Sequence, residues 1–425
     1  MLYRKPKGTN DILPEDAVFW QYLEDTAKEI ASKFGYMEMR VPIFESLDLF
    51  QRSAGETSDV VSKEMYEFID KGNRKMALRP EGTAGIVRAY IENKLYGPDY
   101  VKPVKVYYIG SMFRYERPQS GRSRQFNQFG VEAFGVEDAR LDAETIAMGQ
   151  ELLKSLGINE FKVAINTLGD QESRKSYVAA LVDYLTPFKE ELSDDSKIRL
   201  EKNPLRILDS KDHHDQEIVA SAPKISQYLT TSAKEYFEQV KSYLKLINIP
   251  FEIDEDLVRG LDYYNHTIFE LIYTGSVFGK NPLTVLAGGR YNQLVEELGG
   301  PETPGVGFGM GEERVFEILQ HDQELKERLQ PTTDLFIIGV GDEAFKEIFV
   351  LTNQLRERGI SVSYDYTGRS LKSQFKLSSR ENASFTTVIG DEELKNKTCK
   401  IKKMIDGTEV EVPFDKITKE MLGEI

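Results

Sequence analysis

The 425-residue sequence is poor in the residues that staple a chain or hold a metal: it has one cysteine and four histidines. The lone Cys399 excludes a disulfide framework and a cysteine-clustered zinc site. His213 and His214 are adjacent, so they cannot share a helical face, and no cysteine lies near them; no metal site is expected. There is no G-x-S-x-G motif, the mark of one large class of serine hydrolases. No apolar run approaches the roughly 20 residues that span a bilayer, so no membrane partner is expected. No apolar core follows the basic opening Met-Leu-Tyr-Arg-Lys-Pro-Lys, so no signal peptide is expected either, and a cytoplasmic location is. A formal charge of −15 argues against indiscriminate binding of polyanions, DNA included.

What is present is an ordinary globular balance, 40% apolar and 29% charged, on a chain long enough for about two to four domains. Charge is unevenly placed. Between Lys102 and Arg124 lie six basic residues (Lys102, Lys105, Arg114, Arg117, Arg122, Arg124) and one acid, Glu116, a local net of +5. Between Lys395 and Lys403 lie five lysines and no acid. Basic islands on an acidic body suggest specific anion sites, although the second island alone also reads as solvated surface.

Along the chain, Pro14 opens a helix whose apolar stripe runs through Val18, Phe19, Tyr22, Leu23, Ala27, Ile30, Ala31 and Phe34 before Gly35 stops it. Tyr36 to Pro42 is extended, and Pro42 suits a sheet edge or an interface. Residues 104–134 alternate as two strands around a turn containing Pro118, Gln119, Ser120 and Gly121. A helix over 141–156 and a strand over 161–167 follow. Residues 170 to 250 are helical and charged, as an inserted unit would be; glycine-rich strand sequence returns over 257–310. His321 to Thr333 reads as a linker. The last part alternates strand (Asp334–Val340), helix (Glu343–Arg358), strand (Ile360–Tyr364), helix (Arg369–Ser379) and strand (Thr386–Ile389), which indicates a small domain with a mainly parallel sheet.

Two nucleotide-binding patterns are discarded. Gly339-Val-Gly-Asp-Glu-Ala344, with Asp365 downstream, matches the dinucleotide fingerprint. Asp342 and Glu343 would then stand where a pyrophosphate needs bare N–H donors. The near P-loop Gly275 to Lys280 has the wrong spacing, and Asn281 replaces Ser/Thr.

Four other constellations carry chemistry. In Phe113-Arg114-Tyr-Glu116 through Arg122-Ser-Arg-Gln-Phe126, Arg114 and Arg122 are placed to clamp phosphates, Phe126 to stack a purine and Glu116 to accept from an exocyclic amine; the plainer reading is an amphipathic hairpin with surface arginines. In Gly305-Val-Gly-Phe-Gly-Met-Gly-Glu-Glu-Arg314, alternate glycines clear one face of a strand so that a flat ligand can lie on the backbone; the plainer reading is a bulged strand packed against a neighbour. Arg259-Gly-Leu-Asp-Tyr263-Tyr264 through Glu270 reads as a basic-aromatic site or as core, and Ala287-Gly-Gly-Arg290-Tyr291 as a small polar pocket.

Together with Lys7-Gly-Thr-Asn-Asp-Ile-Leu-Pro14 and Leu78-Arg-Pro-Glu81-Gly-Thr83, these stretches strongly resemble the histidyl-tRNA synthetases, members of the class II aminoacyl-tRNA synthetases, over nearly the whole chain. The resemblance implies an α+β catalytic domain with an antiparallel sheet over 1–325, a helical insertion at about 170–250, and a C-terminal α/β anticodon-binding domain over 326–425. It implies activation of histidine by ATP with Mg²⁺, transfer to the terminal adenosine of tRNA(His), and a homodimer built on the first helix and the Pro42 strand.

By that resemblance Arg114 and Arg259 flank the α-phosphate, and Arg259 stands where other class II members place a metal ion. Arg122 and Arg314 hold the outer phosphates, Phe126 and Arg314 sandwich the adenine, and Glu116 lies close to it. Histidine recognition falls to Glu81, Thr83, Arg114, Gln128, Glu132, Arg259, Tyr263, Tyr264 and Tyr291, with Arg259, Arg114 and Gln128 the catalytic set. Arg117 and Gln119 meet the acceptor end of the tRNA, while the Arg369–Lys376 helix and the 395–403 lysines meet its anticodon arm. The sequence departs from the family pattern at Asn292-Gln293, where Asp-Gly is usual, and at Glu312, where Leu is usual; neither is a ligand position. His266 is not expected to be a catalyst.

Overall fold

The computed structural model describes residues 3–55, 58, 60–118, 121–279 and 282–425. Gln119 and Ser120 of the turn, and Lys280 and Asn281 of the near P-loop, lie outside the described residues. The chain divides into two compact units, Met1–Gln323 and Glu324–Ile425.

In the first unit the strands are β1 (Met37–Glu38), β2 (Phe44–Ser46), β3 (Tyr66–Ile69), β4 (Lys75–Leu78), β5 (Val104–Phe113), β6 (Gln125–Phe134), β7 (Phe161–Thr167), β8 (Glu252–Ile253), β9 (Asn265–Tyr273), β10 (Leu283–Tyr291) and β11 (Gly305–Gly311). Eight of them form one sheet in the order β1-β5-β6-β11-β10-β9-β7-β8. Its six central strands are antiparallel, and short parallel edges β1 and β8 close it. The expected hairpin is present with Phe113 opposite Gln125 and Val104 opposite Phe134. The remaining strands make a small sheet, β2-β4-β3.

Helices cover the back of the large sheet. Pro14 at the first turn, with Glu15 and Asp16 against the positive end of the dipole, starts Pro14–Lys33. Its stripe of Phe19, Trp20, Leu23, Ala27, Ile30 and Ala31 is buried, and Gly35 ends it at φ 77°. Helix Ala139–Ser155 lies beside it; a Cβ at Gly149 would come within 3.0 Å of Leu286 Cδ1, so the missing side chain lets helix and sheet meet. The opposite face of the sheet is left for the site.

The helical stretch between β7 and β8 resolves into two parts. Helices Gln171–Leu185, Asp194–Lys202 and His213–Val219 share a core of Tyr177, Leu181, Leu185, Leu200, Leu205 and Ile218. Helix Thr231–Leu246 instead buries Ala233, Phe237, Val240 and Leu244, an i, i+4, i+7, i+11 stripe, and packs on Ala139–Ser155. The inserted bundle begins and ends at one clasp. Asp170 accepts from Ser173 N (2.8 Å) and from the Thr230 hydroxyl, and Ser173 Oγ accepts from Thr230 N (2.9 Å). Inside the bundle, Asp215 accepts from Ser193 N (2.9 Å) and from the hydroxyls of Ser193, Ser196 and Ser210 at 2.6–2.7 Å. Burial alone would raise its carboxyl, but these bonds outweigh it and hold it below the ordinary value.

The second unit adds β12 (Thr333–Gly339), β13 (Val362–Tyr364), β14 (Ala383–Ile389), β15 (Thr398–Lys403) and β16 (Glu409–Pro413), in the order β13-β12-β14-β15-β16. The first three are parallel, and the β15–β16 hairpin pairs antiparallel. That hairpin was not anticipated: Cys399 and Ile401 point inward, but the intervening lysines disguise the alternation as a charge run. Helix Asp342–Glu357 packs on the face of Leu335 and Ile337, while Leu377, on helix Leu371–Arg380, packs with Phe336 and Ile338 on the other. The stretch expected to be a linker contains a short helix, Gln323–Arg328, and ends inside β12.

Candidate active site

The site lies over β6, β11 and β10, beside the turn entering helix Thr83–Glu92. Its floor depends on glycines. A Cβ at Gly307 would fall 2.1 Å from Glu132 Oε2, and one at Gly309 would fall 2.3 Å from Gln128 Nε2. The cleared face is therefore largely occupied by side chains leaning across from β6, with the backbone of Gly307–Gly309 still lining the cavity. Fourteen residues enclose about 80 Å³, among them Glu81, Thr83, Arg114, Gln128, Glu132, Arg259, Tyr263 and Tyr264.

Glu81 lies across the N-terminus of its helix and accepts from Thr83 N (2.6 Å) and Ala84 N (2.9 Å). Burial pushes its carboxyl up, while those amides and Arg114 oppose the rise. Glu132 accepts from the Thr83 hydroxyl at 2.7 Å and from the Tyr291 hydroxyl. Burial, reinforced by the charge of Glu81, pushes Glu132 up to about 8 against the two hydroxyl donors. Rings of Tyr263 and Tyr264, 4.6 Å apart, wall the cavity, while Tyr291 is not among its lining residues and packs behind them with its ring 5.5 Å from that of Tyr263. Two buried polar atoms there have no partner among the described residues, Gln128 Oε1 and Arg259 Nε.

The cations form a connected network. Arg114 donates from Nε to Pro80 O (2.8 Å) and stacks over Phe126 at 5.2 Å. Glu116 stands between Arg114 (3.9 Å) and Arg122 (3.3 Å). Glu270 pairs with Arg259 and accepts from the Thr284 hydroxyl at 2.5 Å. Arg314 donates to Thr284 O and, at 3.4 Å, to Gly121 O. Burial, with Arg122 and Arg114 adding repulsion, lowers the proton affinity of Arg314, while Glu116 and Glu270 oppose it. Residues from 114 to 314 thus converge on one region, with carboxylates holding the arginines that an anionic ligand would attract.

Several participants had no distinguishing sequence signal. Tyr108 lines the cavity, and a Cβ on Gly82 or Gly130 would sit 2.2 Å from its ring; the opposition of Tyr108 and Gly130 in the hairpin was the available clue. Glu270 carries no sequence signal beyond its place at the end of the Arg259 motif. Arg174 and Asn203 reach out of the insertion to the loop carrying Arg259: Arg174 donates to Asp262 O (2.9 Å) and Tyr264 O (3.3 Å), and Asn203 donates to Asp262 Oδ1 (2.7 Å).

Other expectations change. Arg290 does not contribute to a polar pocket; it is fully buried, paired with Asp142 and donating to Val136 O (3.2 Å). Asn292 accepts from Arg290 and donates to Glu137 at 2.9 Å, which accounts for that departure as local packing. Glu312 is fully buried under the first helix, and neither carboxylate oxygen has a partner among the described residues. His266 is buried at φ 45° with Nδ1 unpartnered among the described residues, and burial lowers its proton affinity. In the second unit, Asp365 is buried and binds Arg369 N (2.6 Å) and the Arg369 guanidinium, which explains its placement without a cofactor. Arg117 is exposed. His213 and His214 are exposed at the start of their helix beside Glu217.

A family profile described as histidyl-tRNA synthetase matches residues 8–315, and one described as an anticodon binding domain matches residues 334–424. The chain is 55% identical to the histidine–tRNA ligase of Latilactobacillus sakei subsp. sakei (strain 23K), covering 97% of this chain and 95% of that one. It is 52% identical to that of Limosilactobacillus fermentum over the full length of both. The crystal structure of apo S. aureus histidyl-tRNA synthetase superposes with a TM-score of 0.84 at 41% identity, covering 100% of this chain and 99% of that one. On fold and likeness alike, the chain belongs to the histidyl-tRNA synthetase family.

Proposed function

We propose that this protein is a histidine–tRNA ligase that joins histidine to ATP as histidyl-adenylate and then esterifies the terminal adenosine of tRNA(His). The observation that carries the reading is the single cavity in which Glu81, Glu132 and Gln128 meet Arg114 and Arg259. The carboxyl groups and Gln128 Oε1 suit the imidazole and α-ammonium of histidine; the arginines suit its carboxylate and the α-phosphate.

In the first step an oxygen of the histidine carboxylate attacks the α-phosphorus. A carboxyl–phosphate bond forms, the α–β bridging bond breaks, and pyrophosphate leaves. Arg114 and Arg259 stabilise the charge on the α-phosphoryl oxygens, and fixed guanidinium groups do so with little reorganisation. Arg122 and Arg314 hold the outer phosphates, whose Mg²⁺ arrives with ATP as part of the substrate. Phe126 and Arg314 enclose the adenine near Glu116. In the second step a ribose hydroxyl of the terminal adenosine attacks the acyl carbon, and AMP leaves.

Glu81, Thr83, Tyr263, Tyr264 and Tyr291 shape the amino-acid end. An apolar isostere would leave Glu132 and its hydroxyl partners without the ligand donor the cavity is built for, a strong ground for rejection. Arg117 and Gln119 belong at the tRNA acceptor end. We assign catalysis to residues 1–325 and anticodon recognition to 326–425, where Lys372, Lys376, Lys395 and Lys400 are exposed. Exposed Met37, Ile43, Phe44, Phe68 and Ile69 around β1–β4 provide an apolar face for a homodimer. Among the described residues no helix is long and apolar enough to cross a membrane, and we propose a cytoplasmic location. The test is histidine-dependent ATP–pyrophosphate exchange with Mg²⁺; purified protein that exchanges with no amino acid, or equally well with others, refutes the assignment.

A further inference from the structure

The loop that carries Arg259 is gripped from the inserted bundle. Residues 254–264, between β8 and β9, belong to no strand or helix. Arg174 Nη1 takes two carbonyls of this loop, Asp262 O (2.9 Å) and Tyr264 O (3.3 Å), and Asn203 Nδ2 takes its side chain at Asp262 Oδ1 (2.7 Å). The other oxygen of Asp262 lies where Gly55, at φ 80°, has no side chain: a Cβ there would stand 2.2 Å from Oδ2. Gly260, next to Arg259, sits against Arg206 of the bundle, whose Nη1 would be 3.4 Å from a Cβ.

Both struts have stiff roots. Arg174 follows Ser173 of the clasp, on the first turn of helix Gln171–Leu185. Asn203 ends helix Asp194–Lys202 and precedes Pro204 and Leu205, which are buried in the bundle. A void of about 20 Å³ lined by Arg174, Asn203, Arg206, Arg259, Asp262 and Tyr264 shows how close the two sides stand. Neither Arg174 nor Asn203 is among the residues lining the substrate cavity, whereas Arg259, Tyr263 and Tyr264 are.

We propose that Arg174 and Asn203 are positioning residues for histidine activation, fixing through Asp262 the main chain from which Arg259 reaches the α-phosphate. The inference rests on the reading of Arg259 as a group at that phosphate. Glu270 holds the far end of the Arg259 side chain and the struts hold its root, so the guanidinium is set from both ends. A cation displaced by about 1 Å from the charge it stabilises can cost on the order of 10²-fold in rate. The inserted bundle thereby serves the first step, with no RNA present.

The test is a double-variant cycle on the full-length protein, read as pyrophosphate exchange without tRNA. The same loop carries Tyr263 and Tyr264, so KM for histidine is expected to rise, and kcat is taken at saturating histidine. Arg174→Ala and Asn203→Ala should each lower that kcat about ten- to a hundredfold, with KM for ATP within about threefold of the parent. Arg174→Lys, which keeps one donor, should recover part of the loss. In an Arg259→His background either alanine substitution should cost less than about twofold more, because the group it positions is gone. Losses that multiply in that background mark a general structural role and overturn the proposal, as does a kcat unchanged by either substitution. If Arg174→Ala does not fold, Asn203→Ala carries the cycle alone. Should Arg259→His by itself leave exchange unchanged, the reading of Arg259 fails first and takes the proposal with it.

Discussion

Glu132 makes the amino-acid site a proton-linked one. Moving its carboxyl from 4.5 to about 8 disfavours the anion by roughly 5 kcal/mol in the empty site, burial being the main cause and Glu81 the second. At pH 7 the neutral form therefore dominates, and ionising it takes only on the order of 1 kcal/mol more. A ligand that brings a positive charge or a strong donor within reach readily supplies that much. Histidine binding is then expected to release close to one proton from Glu132 at pH 7. The ligand's own imidazole adds at most about a quarter of a proton if it binds neutral. Titration calorimetry in buffers of different ionisation enthalpy reads this number directly.

The Glu132→Gln variant should lose the larger part of the release. It should also bind histidine about ten- to a hundredfold more weakly, the range for a lost charge-assisted hydrogen bond, with KM for ATP unchanged. Because the folded value of Glu132 is raised, the stability associated with its neutral form is present below about 4.5 and lost as pH climbs toward about 8. The Gln variant should accordingly match the parent near pH 4 and exceed it in thermal midpoint near pH 8–9. Heat signals independent of buffer at pH 7, or proton release that survives in the Gln variant, would refute the argument.

Three further outcomes are expected. Arg259→His, assayed separately for pyrophosphate exchange and for transfer from preformed adenylate, should lose about 10²–10³-fold in exchange and much less in transfer, since only the first step passes through a five-coordinate α-phosphorus whereas the second attacks the acyl carbon; equal losses contradict its role. Glu312→Leu should stabilise the protein by roughly 2 kcal/mol through removal of a buried unpartnered carboxyl, which burial, Glu24 and Glu313 keep well above its ordinary value. That gain should be small below about 4.5 and grow as pH rises, and thermal midpoints that differ equally at pH 5 and pH 8 would rule this out. Asp215→Ala should loosen the inserted bundle by roughly 2–4 kcal/mol, four donors losing one acceptor; because its folded value is depressed, the contribution is present above about 3.8 and lost as pH falls below it. Hydrogen exchange confined to residues 171–229 is the measurement, and unchanged protection there would contradict it.

Much of the scaffold was legible because its periods were clean. Pro14–Lys33 announced itself by an apolar stripe and a terminal glycine, and β5 and β6 by every-second-residue patterns at Val104, Val106 and Tyr108 and at Phe126 to Glu132 around a turn of breakers. β15 hid because solvent-facing lysines outnumber its inward Cys399 and Ile401, so composition overrode period. The site was legible only as separate motifs. What tunes Glu132 comes from Thr83 and Tyr291, 49 and 159 residues away, and no local pattern encodes that meeting. The same holds for Arg290: its neighbouring glycines suggested a pocket, whereas a carboxylate 148 residues distant decides that it is a buried anchor. The supports from Arg174 and Asn203 sit in a segment that reads as generic charged helix, with nothing to mark two of its polar residues as struts.

The clasp of Asp170, Ser173 and Thr230 has an architectural consequence. Since the bundle departs and returns at neighbouring points, the sheet registers only how far apart those two points are, not how many residues hang between them. Extra length there adds little to the entropy of closing the loop, so the appendage can be resized or exchanged among relatives while β7 and β9 stay paired. The tethers to Asp262 are what such a change would disturb, which makes the fit between appendage and arginine loop, rather than the clasp, the place where a transplanted module has to be matched.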